Sequence, residues 1–423
     1  MDAGSDHTDH DPVRREVEGW LEESWDPDLT VRDWWARLAA SGWGFPSWPR
    51  AWFGRGLGPE VQGTVRDVFL ARGALGPPAS LGQLLGGPVL LTHGSAALRE
   101  RFLPLLARGE EAWCQFFSEP GAGSDLAGLQ TRAERDGDGW VVHGQKVWTS
   151  GAQFADRGML VARTDPDVPK HQGLTYFIID LDQPGVEIRP LHQMNGGEGF
   201  NEVFFSGARV EADRVVGEVG GGWAVAVTTL MFERFMSALP SAAPGVRGGM
   251  LEVRAGDVAS GKVAGERESM GQARLAPRVI DVARSLEREA DPLVRQRLAE
   301  LVAKEEVSRL MGLRSAAAVS AGRRPGAEGS VRKIARSDIS RTASAVGMET
   351  LGAHGLVVGE DTPGGGRLQQ QTLSSPGISI AGGTDEIQRN IIGERVLGLP
   401  KEPRLDVDVP FRRLRVGTQR EEG

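Results

Sequence analysis

The chain has one cysteine, Cys114, and one tyrosine among its 423 residues. A lone cysteine excludes an internal disulfide and any cysteine-rich metal site. Histidine is also scarce, with seven residues and no clustered His or Cys ligands, so no metal centre is expected. No apolar run approaches the ~18 residues that a spanning helix needs. The N-terminus, MDAGSDHTDHDP, is polar and acidic, unlike a signal or transit peptide. Arginine greatly outnumbers lysine and Ala and Gly abound, so a cytoplasmic bacterial protein is the simplest expectation. Basic charge is in deficit: the net charge of −8 argues against a nucleic-acid binder, which usually needs a basic surface.

What is present divides into three textures. Residues 1–112 read as helical, with a 3.6-residue period in VRREVEGWLEESW and apolar Leu98, Phe102, Leu105 and Leu106 on one stripe. Seven of the eleven tryptophans precede residue 53, and Trp43, Trp48 and Trp52 share a Gly/Pro-punctuated loop. That loop reads as a rigid packed element before it reads as a ligand-stacking one. Residues 113–215 break into short β-rich segments, which suggests a compact β-barrel or sandwich. Within them GWVVHGQKVWTS reads as strand, turn, strand with His143-Gly144 at the tip. Helical periods return over 216–400, and 401–423 form a tail. Residues 255–277 are polar and glycine-rich enough for a mobile loop or insertion. The expected class is α+β.

Three short stretches carry the chemistry. In the first, Gln115 to Asp125 (QFFSEPGAGSD), glycines let backbone N–H groups approach a ligand and Ser118 and Ser124 add hydroxyls. Alone it is an ordinary turn. The second, Trp148-Thr149-Ser150, sets one large ring beside two hydroxyls, which suits a flat heteroaromatic ligand. The third is Gly382-Gly383-Thr384, a loop that runs into the amphipathic stretch Ile387 to Leu399.

Together SEPGAGSDLAG, GQKVWTSGA and GGTDEIQRNIIGERVLGLP, in this order, resemble the acyl-CoA dehydrogenase family. The resemblance extends over roughly residues 15–400. It implies an N-terminal helical domain, a middle β-domain and a C-terminal four-helix bundle, with FAD between the last two. It implies that Phe117 and Ser118 face the flavin, and Gly123 and Ser124 the dinucleotide and acyl-CoA. Trp148, Thr149 and Ser150 would cover the isoalloxazine and bond its N5 edge, and Thr384 and Glu386 would hold the adenosine half. The pyrophosphate contacts that the resemblance implies fall on Arg284 and Gln296, without the usual Phe-Gly pair, and on the cross-subunit segment that contains Glu349, Gly352 and His354. The implied partners are an acyl thioester, carried by CoA or a carrier protein, an electron-transfer flavoprotein or similar acceptor, and other copies in a homodimer or homotetramer. A paralogous subunit is the alternative to the copies.

The family's reaction needs a carboxylate base, which many members carry one residue before the Gly-Thr pair. Here that place is Gly382. Either the base has moved to the first long helix of the bundle, where Glu233-Arg234 stand, or the chain has left dehydrogenation for an oxygenase, oxidase or noncatalytic role. The apolar neighbours Leu230, Met231, Phe232, Phe235 and Met236 favour a buried Glu233 as the base, with Arg234 beside it on the substrate. The arginine-rich run from Arg323 to Arg341 invites a DNA-binding reading, but its helical spacing and the acidic chain favour a solvated or interface face.

Overall fold

The computed structural model describes residues 12–236, 249–263, 274–320, 326–327, 329–357, 359, 361–403 and 406–414. Five helices come first: α1 (Pro12–Ser24), α2 (Val31–Ser41), α3 (Val61–Ala71), α4 (Gly87–His93) and α5 (Ala96–Ala107). Local chemistry sets their ends. The Thr30 hydroxyl accepts from Asp33 N to cap α2, and Gly42, at φ 76°, stops it in the left-handed region. Ser95 caps α5 in the same way. Trp20, Trp25, Trp34 and Phe69 form an aromatic cluster in the core of this region. The tryptophan loop is structural: Trp43 and Trp48 are buried, and Trp48 stacks on Phe45 at 4.3 Å. A Cβ at Gly87 would come within 2.3 Å of the Trp48 ring, so glycine is what lets α4 lie against it.

Eight strands follow: β1 (Trp113–Phe116), β2 (Arg132–Asp136), β3 (Gly139–Ser150), β4 (Arg157–Arg163), β5 (Leu174–Asp180), β6 (Val186–Leu191), β7 (Phe200–Val210) and β8 (Val215–Val216). They form one sheet in the order β6-β7-β3-β2-β4-β5-β8, with β1 parallel to β4. The period of two distributes β4 and β5 between two cores. Leu160, Ala162, Phe177 and Ile179 meet Phe116, Val203 and Phe205 inside the sheet. Met159, Val161, Tyr176 and Ile178 pack on the other face, against Leu85, Leu90, Val225 and Ala226 of the helical regions. Both strands are therefore apolar almost throughout.

The expected hairpin tip at His143-Gly144 is not a turn. β3 runs unbroken through it, and the reversal between β2 and β3 falls at Gly137-Asp138. The irregularity beside it lies in β7: Val142 pairs with Ala208 and His143 with Ser206, which leaves Gly207, at φ 82°, as the bulged residue, while a Cβ at Gly144 would clash with Thr131.

The C-terminal helices are α6 (Gly222–Met236), α7 (Ala255–Ala259), α8 (Leu275–Ser285), α9 (Pro292–Ser320), α10 (Gly329–Leu351), α11 (Arg367–Ile380) and α12 (Asp385–Ile391). α8 to α11 share a core of Val279, Val282, Leu298, Leu301, Val346 and Leu368, the expected bundle. The expected loop over 255–277 is ordered where it is described at its start. Val253 O accepts from Val31 N, Ala255 N donates to Leu29 O, and Ala255 and Val258 pack into the tryptophan core. The segment 264–273 lies outside the described residues. The tail returns to the β-domain: Phe411 N donates to Val168 O, and the Phe411 ring covers the Arg163 guanidinium at 3.3 Å.

Candidate functional site

The loop after β1 and the end of β3 are fastened together. Val147 N donates to Ser118 O, and the Lys146 ammonium donates to Phe117 O and to Glu119 Oε1, each at 2.9 Å. Glu119 also accepts from Gln130 N and Thr131 N, which closes the loop on itself. Burial pushes the Glu119 carboxyl up, but the Lys146 charge and the hydrogen bonds from Thr131, Gln130 and Lys146 outweigh it and hold it below the usual carboxylate range. Burial lowers Lys146, against the pull of Glu119. Sequence reading missed this pair. Its one signal was a lysine on the same period-two phase as Trp140 and Val142.

Two residues after Lys146 β3 itself bulges, at Trp148. Trp148 has φ 60°, a left-handed conformation that a bulky side chain rarely adopts. The ring is 60% exposed and rests edge-on against Phe200 at 6.0 Å. A bulge re-aims a side chain, and a large ring held open at the cost of backbone strain is a stacking platform. Ser150 and Ser118 are half-buried, and Phe117 is buried. Thr149 is buried, and its hydroxyl has no hydrogen-bond partner among the described residues. Gly123 and Ser124 are exposed, and Lys170 holds the adjacent Asp125 at 3.0 Å and Asp406 of the tail at 2.7 Å. An open ring, two accessible hydroxyls and an exposed glycine loop fit a flavin.

Glu233, half-buried on α6, meets β1, the strand that leads into the Ser118 loop. Gln115 Nε2 of β1 donates to Glu233 Oε2 at 3.4 Å. A Cβ built at Gly382 would stand 3.9 Å from Glu233 Oε1. Arg234 follows on α6, and its side chain lies outside the described residues.

The Gly382 loop is held from inside. Gln388 Nε2 donates to Gly382 O at 2.9 Å, and Gly382 and Gly383 have φ 67° and 89°. The Thr384 hydroxyl accepts from Ile387 N as the cap of α12, and the exposed Glu386 pairs with Arg389. The residue between them, Asp385, is the anchor that sequence reading missed. It is 4% exposed and receives Lys333 at 2.9 Å and Arg341 at 2.8 Å. Burial would raise Asp385, but hydrogen bonds from Arg341, Lys333 and Ser337 overcome it and hold the carboxyl well below its usual range. Two cations of the arginine-rich run thus turn inward to the loop. Arg332 and Arg336 are half-buried, and Arg323 and Arg324 lie outside the described residues.

The remaining candidates lie elsewhere. Arg284, Gln296, Glu349 and Gly352 are exposed where the end of α8, the start of α9 and the end of α10 meet. Arg297 approaches Glu349 at 3.9 Å, Arg284 pairs with Asp281, and His354 is exposed nearby. Along α10, Glu349 is about 24 Å from Lys333 at the helical rise per residue. Lys333 holds the Gly382 loop through Asp385, so Glu349 stands well away from that loop within one chain.

Comparison with known proteins follows the same three regions. Residues 8–110, 114–208 and 257–397 match the N-terminal, middle and C-terminal domain profiles of acyl-CoA dehydrogenase. The chain is 36% identical to acyl-CoA dehydrogenase IpdE1 of Mycobacterium tuberculosis, over 93% of this chain and 99% of that one. Among solved structures, the Tcur3481-Tcur3483 steroid ACAD is similar at TM-score 0.69 and 28% identity, covering 92% of this chain and 97% of that one. The ChsE4-ChsE5 complex from Mycobacterium tuberculosis is similar at TM-score 0.68 and 28% identity, covering 95% and 100%.

Proposed function

The chain belongs to the acyl-CoA dehydrogenase family of FAD-dependent oxidoreductases, and on that premise we propose that it desaturates a branched or polycyclic acyl-CoA with Glu233 as its base. The observation that carries this reading is the position of Glu233 Oε1, 3.9 Å from where a Cβ at Gly382 would stand. A carboxylate from α6 reaches the space that a loop glutamate fills in other members.

FAD, held there, would supply the two-electron acceptor for the β hydrogen. The protein's own part is to bind, orient and remove a proton. Trp148 offers the ring face, Ser118 and Ser150 hydroxyl donors, and the exposed loop at Gly123 and Ser124 backbone close to the ligand. Glu233 takes the α proton, and its half-buried setting between α6 and β1 limits water around the carboxylate. Moving the base to α6 leaves the Gly382 side without a side chain, which suits bulk at the α carbon. The similar steroid ACAD supports that substrate class. Electrons leave to an electron-transfer flavoprotein or a protein of its kind.

FAD is completed by a second subunit, because Arg284, Gln296, Glu349 and Gly352 lie apart from Glu233. That subunit is a copy or, as the similar ChsE4-ChsE5 complex suggests, a paralogue. Light scattering with absorbance detection should find flavin only in oligomers; a flavin-loaded monomer contradicts this part of the reading.

Glu233→Gln tests the core of it. The change keeps volume and removes the carboxylate, so FAD content should hold. Reduction of the flavin by a steroid-side-chain or branched acyl-CoA should slow about 10²–10⁴-fold, the usual cost of losing a positioned base. Undiminished reduction in stopped flow places the base elsewhere.

A further inference from the structure

We infer that Gln115 is the positioning residue for the Glu233 carboxylate, handing an amide hydrogen bond from the sheet to α6. The inference rests on the reading of Glu233 as the base. β1 is WCQF, three buried residues and one half-buried amide. Alternation sends Cys114 and Phe116 into the sheet's own core and leaves Trp113 and Gln115 on the face that the helices cover. A polar side chain on that face needs a partner. Gln115 Nε2 finds it in Glu233 Oε2, at 3.4 Å.

The two carboxylate oxygens are thereby distinguished. Oε2 is tethered to the sheet, while Oε1 is turned toward the gap at Gly382. The tether is rigid at its root, because β1 is paired in register with β4 from Trp113–Arg157 to Phe116–Leu160. A base carried on a helix, rather than on the loop that faces the substrate, gains its aim from such a contact. A neutral amide aims the carboxylate without adding a charge beside it. The orientation of a base within about 1 Å is worth a large factor in rate.

The experiment is a double-mutant cycle on flavin reduction in the assembled, FAD-loaded enzyme, with an α-deuterated acyl-CoA as the second probe. Gln115→Met keeps the length and removes the donor; Gln115→Asn keeps the amide and withdraws it by one methylene. Each should slow reduction about 10- to 100-fold, with substrate affinity and FAD content held. The α-deuterium isotope effect should rise as proton removal becomes limiting. In the Glu233→Gln background the Gln115 changes should cost nothing further. The inference is overturned if both variants reduce flavin like the parent, or if they slow it equally with and without Glu233. A Glu233→Gln enzyme that reduces flavin at full rate instead sinks the base assignment itself, so the two failures are distinct.

Discussion

Glu119 and Asp385 are both buried carboxylates, and each fastens a loop that faces the site, but they are held in opposite ways. Glu119 sits entirely within the sheet domain, on a lysine with no solvent exposure and on two backbone N–H groups. Asp385 starts a helix and is held across the bundle by two cations of α10, one of them, Arg341, half in solvent. The first arrangement gives both charges a single ionic partner. The second gives one buried anion two cations, of which Arg341 can go to water and Lys333 has Ser379 O as a further acceptor. A buried pair contributes little net stability when intact and costs much when halved, whereas an exposed partner costs little. The flavin-side loop should therefore be all-or-none, and the Gly382 loop should yield by degrees.

The largest effect is expected at the sheet. Lys146→Met removes the ammonium from beside the buried Glu119, so the carboxylate is left to its hydrogen bonds from Gln130 and Thr131. About 3–5 kcal/mol of stability should be lost, read by urea unfolding. Glu119→Gln added to it should recover part of that, because the stranded charge is gone. If Lys146→Met unfolds at the parent's midpoint, the pair is not a clamp on this loop.

How much of this was legible in the sequence differs by region for the same physical reason. The sheet's double-sided strands were visible as apolar runs, MLVA and YFII, because burial on both faces removes alternation. The missing base at position 382 was visible because a glycine cannot hide. The bulges between β3 and β7 were not, since a glycine such as Gly207 satisfies a turn and a bulge equally well and only the partner strand decides. Lys146 was quoted in a motif but given no role, although its strand phase pointed inward. Asp385 was the least legible: its cations lie 52 and 44 residues upstream, and an acidic residue after a helix cap already has a local explanation. The inward turn of Lys333 and Arg341 was hidden with it. The four exposed candidates at the far end of α10 came from motif order alone, which carries no distance. What local period and composition encode was readable, and what a remote partner decides was not.

The smaller effect belongs to Asp385 and depends on pH. Its folded-state pKa lies below the ordinary value, so the charged form is the one that the bundle favours. Such a group contributes its full stability above its unfolded pKa, near pH 4, and loses it as pH falls toward the folded value. The parent should therefore weaken progressively below about pH 4. Asp385→Asn removes the titrating group and keeps the shape. At pH 7 it should cost about 1–3 kcal/mol, the range for a buried polar group deprived of its charged partners' full interaction. That is less than the cost at Lys146, because Lys333 keeps its bond to Ser379 O and Arg341 keeps solvent. As pH falls below 4 the variant's deficit should shrink, since the parent is losing the interaction that the variant never had. Unfolding midpoints of both proteins between pH 3 and 7 would show the two curves converging toward acid. Parallel curves would mean that Asp385 titrates as it does in the unfolded chain, and the contrast between the two clamps would then lose its bundle half.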